Sequence, residues 1–155
     1  MEPRAAAPST RIRLIEKLSA AGIPTGVLAS PMIPALNDHE LENILSASAD
    51  AGAKRAGYLM VRLPHEVAPL FRTWLETHYP LKAQHVMSRI QAMRGGNDND
   101  PRFGTRMTGE GEFASLMKQR FRVATTRLGL NQTPSPSLDC SQFRAPSPLG
   151  QLALF

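Results

Sequence analysis

Cysteine is nearly absent from this sequence, and its scarcity excludes several classes of site. Cys140 is the single cysteine among 155 residues. No disulfide can form within the chain, and one thiol cannot build a thiolate zinc site or an iron–sulfur cluster. The four histidines, His39, His65, His78 and His85, do not have the spacing of metal ligands. The sequence therefore predicts no metal site held by this chain.

Long apolar runs are also missing. No stretch approaches the roughly 20 apolar residues that a membrane-spanning helix needs. Residues 1–13 alternate Arg with Ala and Pro and have no apolar segment typical of a secretory signal. We therefore expect a cytoplasmic protein that has no membrane partner. The length of 155 residues is enough for one domain with a hydrophobic core.

Positive charge exceeds negative charge, and the formal net charge is +5. The excess is uneven, because residues 102–144 contain seven Lys or Arg and only three Asp or Glu. A basic surplus favours an anionic partner, nucleic acid first, although a solvated basic surface is a common alternative. We therefore look for phosphate contacts in this segment.

The first 63 residues alternate between helical and strand patterns. Apolar spacing predicts a helix over 9–21 with Ser9 as its N-cap, and a buried strand over 25–30 that ends at Pro31. A second helix is expected to begin at a capping box formed by Asn37 and Glu40, and a second strand covers 56–62. Helix–strand–helix–strand with short connections predicts an α/β fold whose two strands are parallel and joined by a right-handed crossover.

After Pro64 the pattern predicts helices only, up to Gly129, with a polar and Gly-rich loop over 97–111. From residue 131 the chain is rich in Pro and Ser, which predicts little regular structure. The predicted organisation is thus 1–63, 64–130 and 131–155. Two strands cannot form a parallel sheet that is covered on both faces. The sequence therefore predicts that further strands lie upstream or come from a partner.

Several segments together resemble a bacterial radical S-adenosylmethionine family related to spore photolyase. No single segment is specific, but their order and spacing match over nearly the whole chain. They are EPRA at 2–5 followed by Arg11, AGIPTGV at 21–27, SPMIPALND at 30–38, YLMVRLP at 58–64, RGG at 94–96, RFGTRM at 102–107 and GEG at 109–111.

The resemblance implies that residues 1–63 are the C-terminal portion of a partial (β/α) barrel and that 64–130 form a helical extension. The family binds a 4Fe–4S cluster through a Cys-x-x-x-Cys-x-x-Cys motif, and S-adenosylmethionine binds the cluster. This motif is absent here. The resemblance therefore assigns both cofactors to a full-length parent protein and predicts that this chain alone binds neither stably and is inactive.

The resemblance also suggests which residues surround the cofactor. In a barrel the chemistry lies at the C-terminal ends of the strands. The cofactor-binding candidates are Glu2, Arg11, Ser30, Arg62 and Leu63. The alternatives are structural roles: Ser30 would only satisfy a backbone group, and Glu2 would form an ordinary ion pair with Arg11.

The resemblance to spore photolyase and the basic charge together favour DNA as the substrate, with RNA, protein or a metabolite as alternatives. The nucleic-acid-binding candidates are Arg94, Arg102, Arg106 and Arg120. Glycines beside Arg94 allow main-chain amides to approach a phosphate closely. The alternative is that this loop is structural.

The last five residues, Gln151-Leu152-Ala153-Leu154-Phe155, resemble the peptide that docks bacterial polymerases and repair proteins on the sliding clamp. That peptide has Ser or Asp where this chain has Ala153. Gln151 would supply hydrogen bonds, while Leu152, Leu154 and Phe155 would fill an apolar pocket. This favours an alternative function as a non-catalytic module that binds DNA or the clamp. An apolar terminus that packs back on the domain is equally consistent with the sequence.

Overall fold

The structure is a computed structural model that describes residues 5–132, 141 and 143. It is a mixed α/β fold with five α-helices, one short 3₁₀ helix and two strands within these residues. The elements are α1 (Pro8–Ala20), β1 (Gly26–Met32), the 3₁₀ helix (Asp38–Glu40), α2 (Leu41–Asp50), β2 (Arg55–Met60), α3 (Val67–His78), α4 (Pro80–Ala92) and α5 (Gly111–Arg127).

The two strands pair in parallel, and this confirms the α/β pattern predicted from the sequence. The register runs from Gly26 opposite Arg55 to Ala29 opposite Tyr58, and then Met32 lies opposite Met60 across an irregularity. The prediction that β1 ends at Pro31 was wrong, because the strand continues to Met32. Proline is tolerated at irregularities and on edge strands, where its missing N–H removes no hydrogen bond of the ladder.

Both predicted helix caps were also wrong. Pro8 occupies the first turn of α1 and Ala7 precedes it, so Ser9 lies within the helix. Proline suits this place because its fixed φ is helical and its missing N–H would have had no partner there. The Asn37 side chain accepts a hydrogen bond from the Ile33 N–H at 2.6 Å and donates one to the Pro31 carbonyl at 3.0 Å. Asn37 thus holds the β1–α2 loop in place and does not cap α2.

The hydrophobic core consists of two clusters. The first packs α2 and α5 against one face of the sheet, and Ala29, Leu45, Met60 and Met117 are among its members. The second packs α3 and α4 against the residues that follow the strands, including Leu63. The last helix of the predicted extension therefore returns to the sheet.

The sheet is unevenly covered. Beyond its partner β1, β2 is hydrogen-bonded to segments outside any strand: Asn131 bonds both the N–H and the carbonyl of Ala56, and the Met60 N–H donates to the Met107 carbonyl. Among the described residues, β1 pairs with no strand except β2. Leu28 on β1 is 58% exposed, and α1 contains no fully buried residue. The side of the sheet next to α1 is therefore open.

Candidate ligand site at the carboxyl end of the sheet

The segment between α4 and α5, residues 93–110, lies beside the carboxyl end of β2, and we call it the α4–α5 loop. Its Met107 carbonyl accepts a hydrogen bond from Met60 at 2.9 Å, and the N–H of Glu110 closes the loop on the Met93 carbonyl at 3.0 Å. The loop therefore forms one wall at the end of the sheet where α/β proteins place their ligands.

Arg94 anchors this loop from inside the protein. The residue is only 2% exposed, and its guanidinium donates to the Val61 carbonyl at 2.9 Å and to the Thr105 carbonyl at 3.0 Å. Burial lowers the pKa of Arg94, which nearby Asp100 partly offsets. The sequence-based assignment of Arg94 to nucleic acid stays a prediction that these contacts do not favour, because the nearly buried side chain joins two backbone segments. The structural alternative is the one that the contacts support.

Arg62 follows β2 by two residues and, like Arg94, has a partly unsatisfied guanidinium. The residue is half-buried, and its Nε is buried with no hydrogen-bond partner. Within residues 5–132 no acidic side chain forms an ion pair with it. Its positive charge even contributes to lowering the pKa of Arg94. The half-buried side chain keeps part of its charge accessible to water, so the buried, unpaired Nε–H is the group that an anionic ligand at this position would satisfy.

Arg102 is held by acidic side chains. Its Nε and Nη2 donate to the two carboxylate oxygens of Asp100 at 3.0 Å each, and Nη2 also reaches Glu110 at 2.8 Å. Thr105 donates a further hydrogen bond to Asp100 at 2.8 Å. These bonds, that of the Arg102 side chain first, hold the pKa of Asp100 far below its usual range. The charge of Arg102 is therefore compensated inside the loop.

Arg120 on α5 is also paired internally. Its Nε donates to Glu42 on α2 at 2.8 Å, and its Nη2 donates to the Asp38 carbonyl at 3.0 Å. The hydrogen bond from Arg120 lowers the pKa of Glu42. Arg120 joins α5 to the start of α2, so the structure places it in a helix–helix contact.

Like Arg94, Arg106 lacks an acidic side-chain partner within the described residues, but Arg106 is only half-buried. Its guanidinium carbon lies 5.3 Å from the centroid of the Phe103 ring. Phe103 is 90% exposed. Sequence reasoning missed this phenylalanine, although its place between Arg102 and Arg106 in a polar, Gly-rich stretch was a usable signal.

A groove of about 530 Å³ runs along the open edge of β1 between α1 and α2. Arg11 and Ser30, two of the predicted cofactor residues, both line it, together with Asn43 of α2. Ile15 and Leu28 supply apolar lining. A largely apolar groove with a few polar lining groups, here including Glu40, is typical of a small-molecule site.

The other predicted cofactor residues lie elsewhere. The Leu63 side chain is 1% exposed and packs in the second core cluster, so it does not reach the groove. Arg62 does not line the groove either. Glu2 and the clamp-like residues Gln151, Leu152, Leu154 and Phe155 lie outside the described residues. The structure thus brings together Arg11 and Ser30 and separates them from Leu63.

The described part of the chain contains no group of three or more His, Cys, Asp or Glu that could hold a metal ion. None of its helices is both long enough and apolar enough to cross a bilayer. Comparison of the chain with protein-family models, with curated proteins and with solved structures finds no match.

Proposed function

We propose that this chain is the cofactor- and substrate-shaping part of a radical S-adenosylmethionine enzyme that resembles spore photolyase and acts on nucleic acid. The observation that carries the proposal is the groove along β1. Arg11 and Ser30 are 19 residues apart in sequence and were selected only by the resemblance, yet both line this groove. The open edge of β1 is also consistent with a barrel strand that lacks one neighbour.

The iron–sulfur cluster does not fit this chain. A cluster of this kind needs three thiolates besides the cofactor, and Cys140 is the single cysteine. The cluster cysteines would therefore come from another polypeptide segment. With both groups bound, the parent enzyme gains the ability to abstract hydrogen from a substrate. The residues of this chain contribute binding and orientation only.

Two polar groups would hold S-adenosylmethionine in the groove. The Arg11 guanidinium, whose Nε donates to the Ala6 carbonyl at 3.2 Å, carries further N–H donors of a kind suited to a carboxylate, and the Ser30 hydroxyl both donates and accepts hydrogen bonds. Ile15 and Leu28 would contact the less polar part of the ligand. Arg62 lies outside the groove and would bind a second anionic group at the end of β2.

The test is binding of S-adenosylhomocysteine, a stable analogue, measured by isothermal titration calorimetry on the chain as it exists. We expect Arg11→Met to weaken binding at least about tenfold, since a bidentate charged contact contributes about 1.5–3 kcal/mol. Arg13→Met is the matched control, because Arg13 is an exposed arginine on the same helix that does not line the groove. Weak binding by the unmodified chain is the expected baseline, because the chain alone is predicted not to hold the cofactor stably. Equal losses in both variants contradict the proposal.

Cluster binding gives an independent test. Anaerobic reconstitution of this chain alone is expected to give no stable 4Fe–4S absorption spectrum. Addition of a polypeptide that contains the Cys-x-x-x-Cys-x-x-Cys motif is expected to restore one. A stable cluster on the isolated chain would show that the cysteines need not come from elsewhere.

A second candidate function is a non-catalytic module that docks on the sliding clamp, and the sequence Gln151–Phe155 is the observation that favours it. Deletion of these five residues is expected to abolish co-elution with the clamp on size-exclusion chromatography. Replacement of Gln151 alone by Ala should weaken co-elution without changing the fold. Unchanged co-elution after the deletion removes this candidate.

A further inference from the structure

The α4–α5 loop is irregular, but hydrogen bonds hold its conformation. Arg94 bonds Thr105 from inside, and Asp100 bonds both Arg102 and Thr105. Backbone hydrogen bonds of 3.0 Å from Arg106 to Arg102 and of 2.7 Å from Gly109 to Thr105 tighten the turn. Loops fixed in this way on a packed scaffold are where binding residues commonly lie.

Phe103 lies at the exposed side of this turn. Its residue exposure is 90%, whereas Phe71 is buried and Phe113 and Phe121 pack against the first core cluster. A ring exposed to this extent contributes little to the free energy of folding. The turn therefore presents an aromatic side chain that the core does not use.

Arg106 gives this ring a charged neighbour. Its guanidinium covers one side of the Phe103 ring at 5.3 Å from the centroid, which leaves most of the ring exposed. The guanidinium forms no ion pair within residues 5–132, whereas Arg102 and Arg120 are both neutralised by carboxylates. The turn thus combines a flat apolar surface with an uncompensated cation.

We propose that Phe103 and Arg106 form a stacking platform for an unpaired base of single-stranded nucleic acid, with Arg106 contacting the adjacent phosphate. Bases stack on aromatic side chains regardless of sequence, and a neighbouring arginine adds cation–π and phosphate contacts. A base within a duplex is already stacked on both faces, so the platform selects single strands over duplex. The proposal rests on the nucleic-acid part of the proposed function and names the residues and the strand state that it involves.

The experiment measures fluorescence anisotropy of a labelled oligothymidylate and of a labelled duplex of equal length with the full chain, at two ionic strengths. We expect tighter binding of the single strand. Phe103→Leu is expected to weaken it at least about fivefold, as the loss of one stacked base predicts. Phe103→Trp is expected to retain or improve binding. The ring is exposed, so none of these variants should unfold the protein.

Arg106→Gln separates the role of the cation from that of the ring. We expect it to weaken binding and to reduce the salt dependence by about one phosphate contact. Arg13→Gln, which removes the same charge from an exposed site on α1, controls for net charge, and Phe143→Leu controls for loss of an exposed aromatic ring.

The proposal is overturned if Phe103→Leu binds the single strand as tightly as the unmodified chain, or if duplex is preferred. It is also overturned if neither oligonucleotide binds, an outcome that would favour a protein partner for the exposed Phe103 ring. These measurements need no cluster and no cofactor. Analogue binding that Arg11→Met and Arg13→Met weaken equally, together with intact Phe103-dependent oligonucleotide binding, would therefore refute the cofactor proposal and leave this one standing.

Discussion

Replacement of Arg94 by Ala tests whether this buried arginine is structural. The side chain joins the carbonyl of Val61 to the carbonyl of Thr105 through hydrogen bonds of 2.9 and 3.0 Å. Hydrogen bonds from a charged donor contribute about 1.5–3 kcal/mol each. The substitution would also leave the Val61 carbonyl without its partner and create a cavity.

Two effects oppose this loss. Removal of the guanidinium abolishes the cost of burying a charge, and it ends the repulsion by Arg62 that contributes to lowering the pKa of Arg94. We therefore expect a net decrease of about 2–4 kcal/mol in the free energy of unfolding, because two hydrogen bonds from a charged donor are lost and the relief of charge burial offsets part of that loss. The stability of Arg94→Lys should lie between that of the unmodified chain and that of Arg94→Ala, because an ammonium lacks the planar fork that spans both carbonyls.

The assay is urea unfolding followed by circular dichroism and by the fluorescence of Trp74, which packs against the second core cluster. Arg89→Ala, an exposed arginine one turn earlier on α4, is the control and should change stability by less than about 0.5 kcal/mol. If Arg94 bound phosphate instead, its replacement would lower the affinity for oligonucleotides and leave the stability nearly unchanged. The reasoning is refuted if Arg94→Ala unfolds like the unmodified chain but loses affinity for oligonucleotides.

Three further substitutions test other contacts. The pKa of Asp100 is depressed in the folded protein, so its contribution to the free energy of unfolding should be complete above about pH 4, the pKa of an unfolded Asp. That contribution should be lost as the pH falls further. Asp100→Asn should therefore weaken the acid dependence of stability measured by urea unfolding. Arg120→Met should raise the pKa of Glu42 towards its usual value, visible by NMR, and lower stability by about 1–2 kcal/mol. Asn131→Ala should lower stability by about 1–3 kcal/mol, because its side chain makes two hydrogen bonds to the edge of β2.

Each of these has a matched control. Asp50→Asn, Arg122→Met and Gln132→Ala make equivalent changes at exposed positions outside the three contacts and should have small effects. An acid dependence that Asp100→Asn leaves unchanged would show that other carboxylates dominate. A Glu42 pKa unaffected by Arg120→Met would mean that the ion pair is absent in solution. Unchanged stability of Asn131→Ala would show that water replaces the side chain at that edge.

The order and type of the elements could be read from local pattern. Apolar spacing placed α1, α2, α4 and α5 close to their observed ranges, and short apolar runs located both strands. Hydrophobic periodicity works here because each element buries one side against the others. Element ends were less predictable: Pro31 lies within β1, Ser9 lies inside α1, and the Asn37 side chain bonds the Ile33 N–H and does not cap α2.

Burial along α3 shows a second limit. The sequence favours one continuous apolar stripe through Val67, Leu70, Phe71, Trp74 and Leu75. In the structure Phe71 and Leu75 are buried, whereas Leu70 is 66% exposed. Periodicity identified the helix, but the width of the covered face depends on what packs against it, here mainly α4.

The arginines show most clearly where sequence reasoning ends. Composition alone established that residues 102–144 are basic and that one cysteine cannot hold a cluster. Composition could not distinguish structural arginines from arginines available to a ligand, because residues of the same type have different partners in the folded protein. Arg94 bonds a carbonyl 33 residues away and Arg120 a carboxylate 78 residues away. Arg106 alone of this group combines an exposed ring with no acidic partner in the described residues. Charge is a property of the residue, but its availability to a ligand depends on contacts that form between distant parts of the chain.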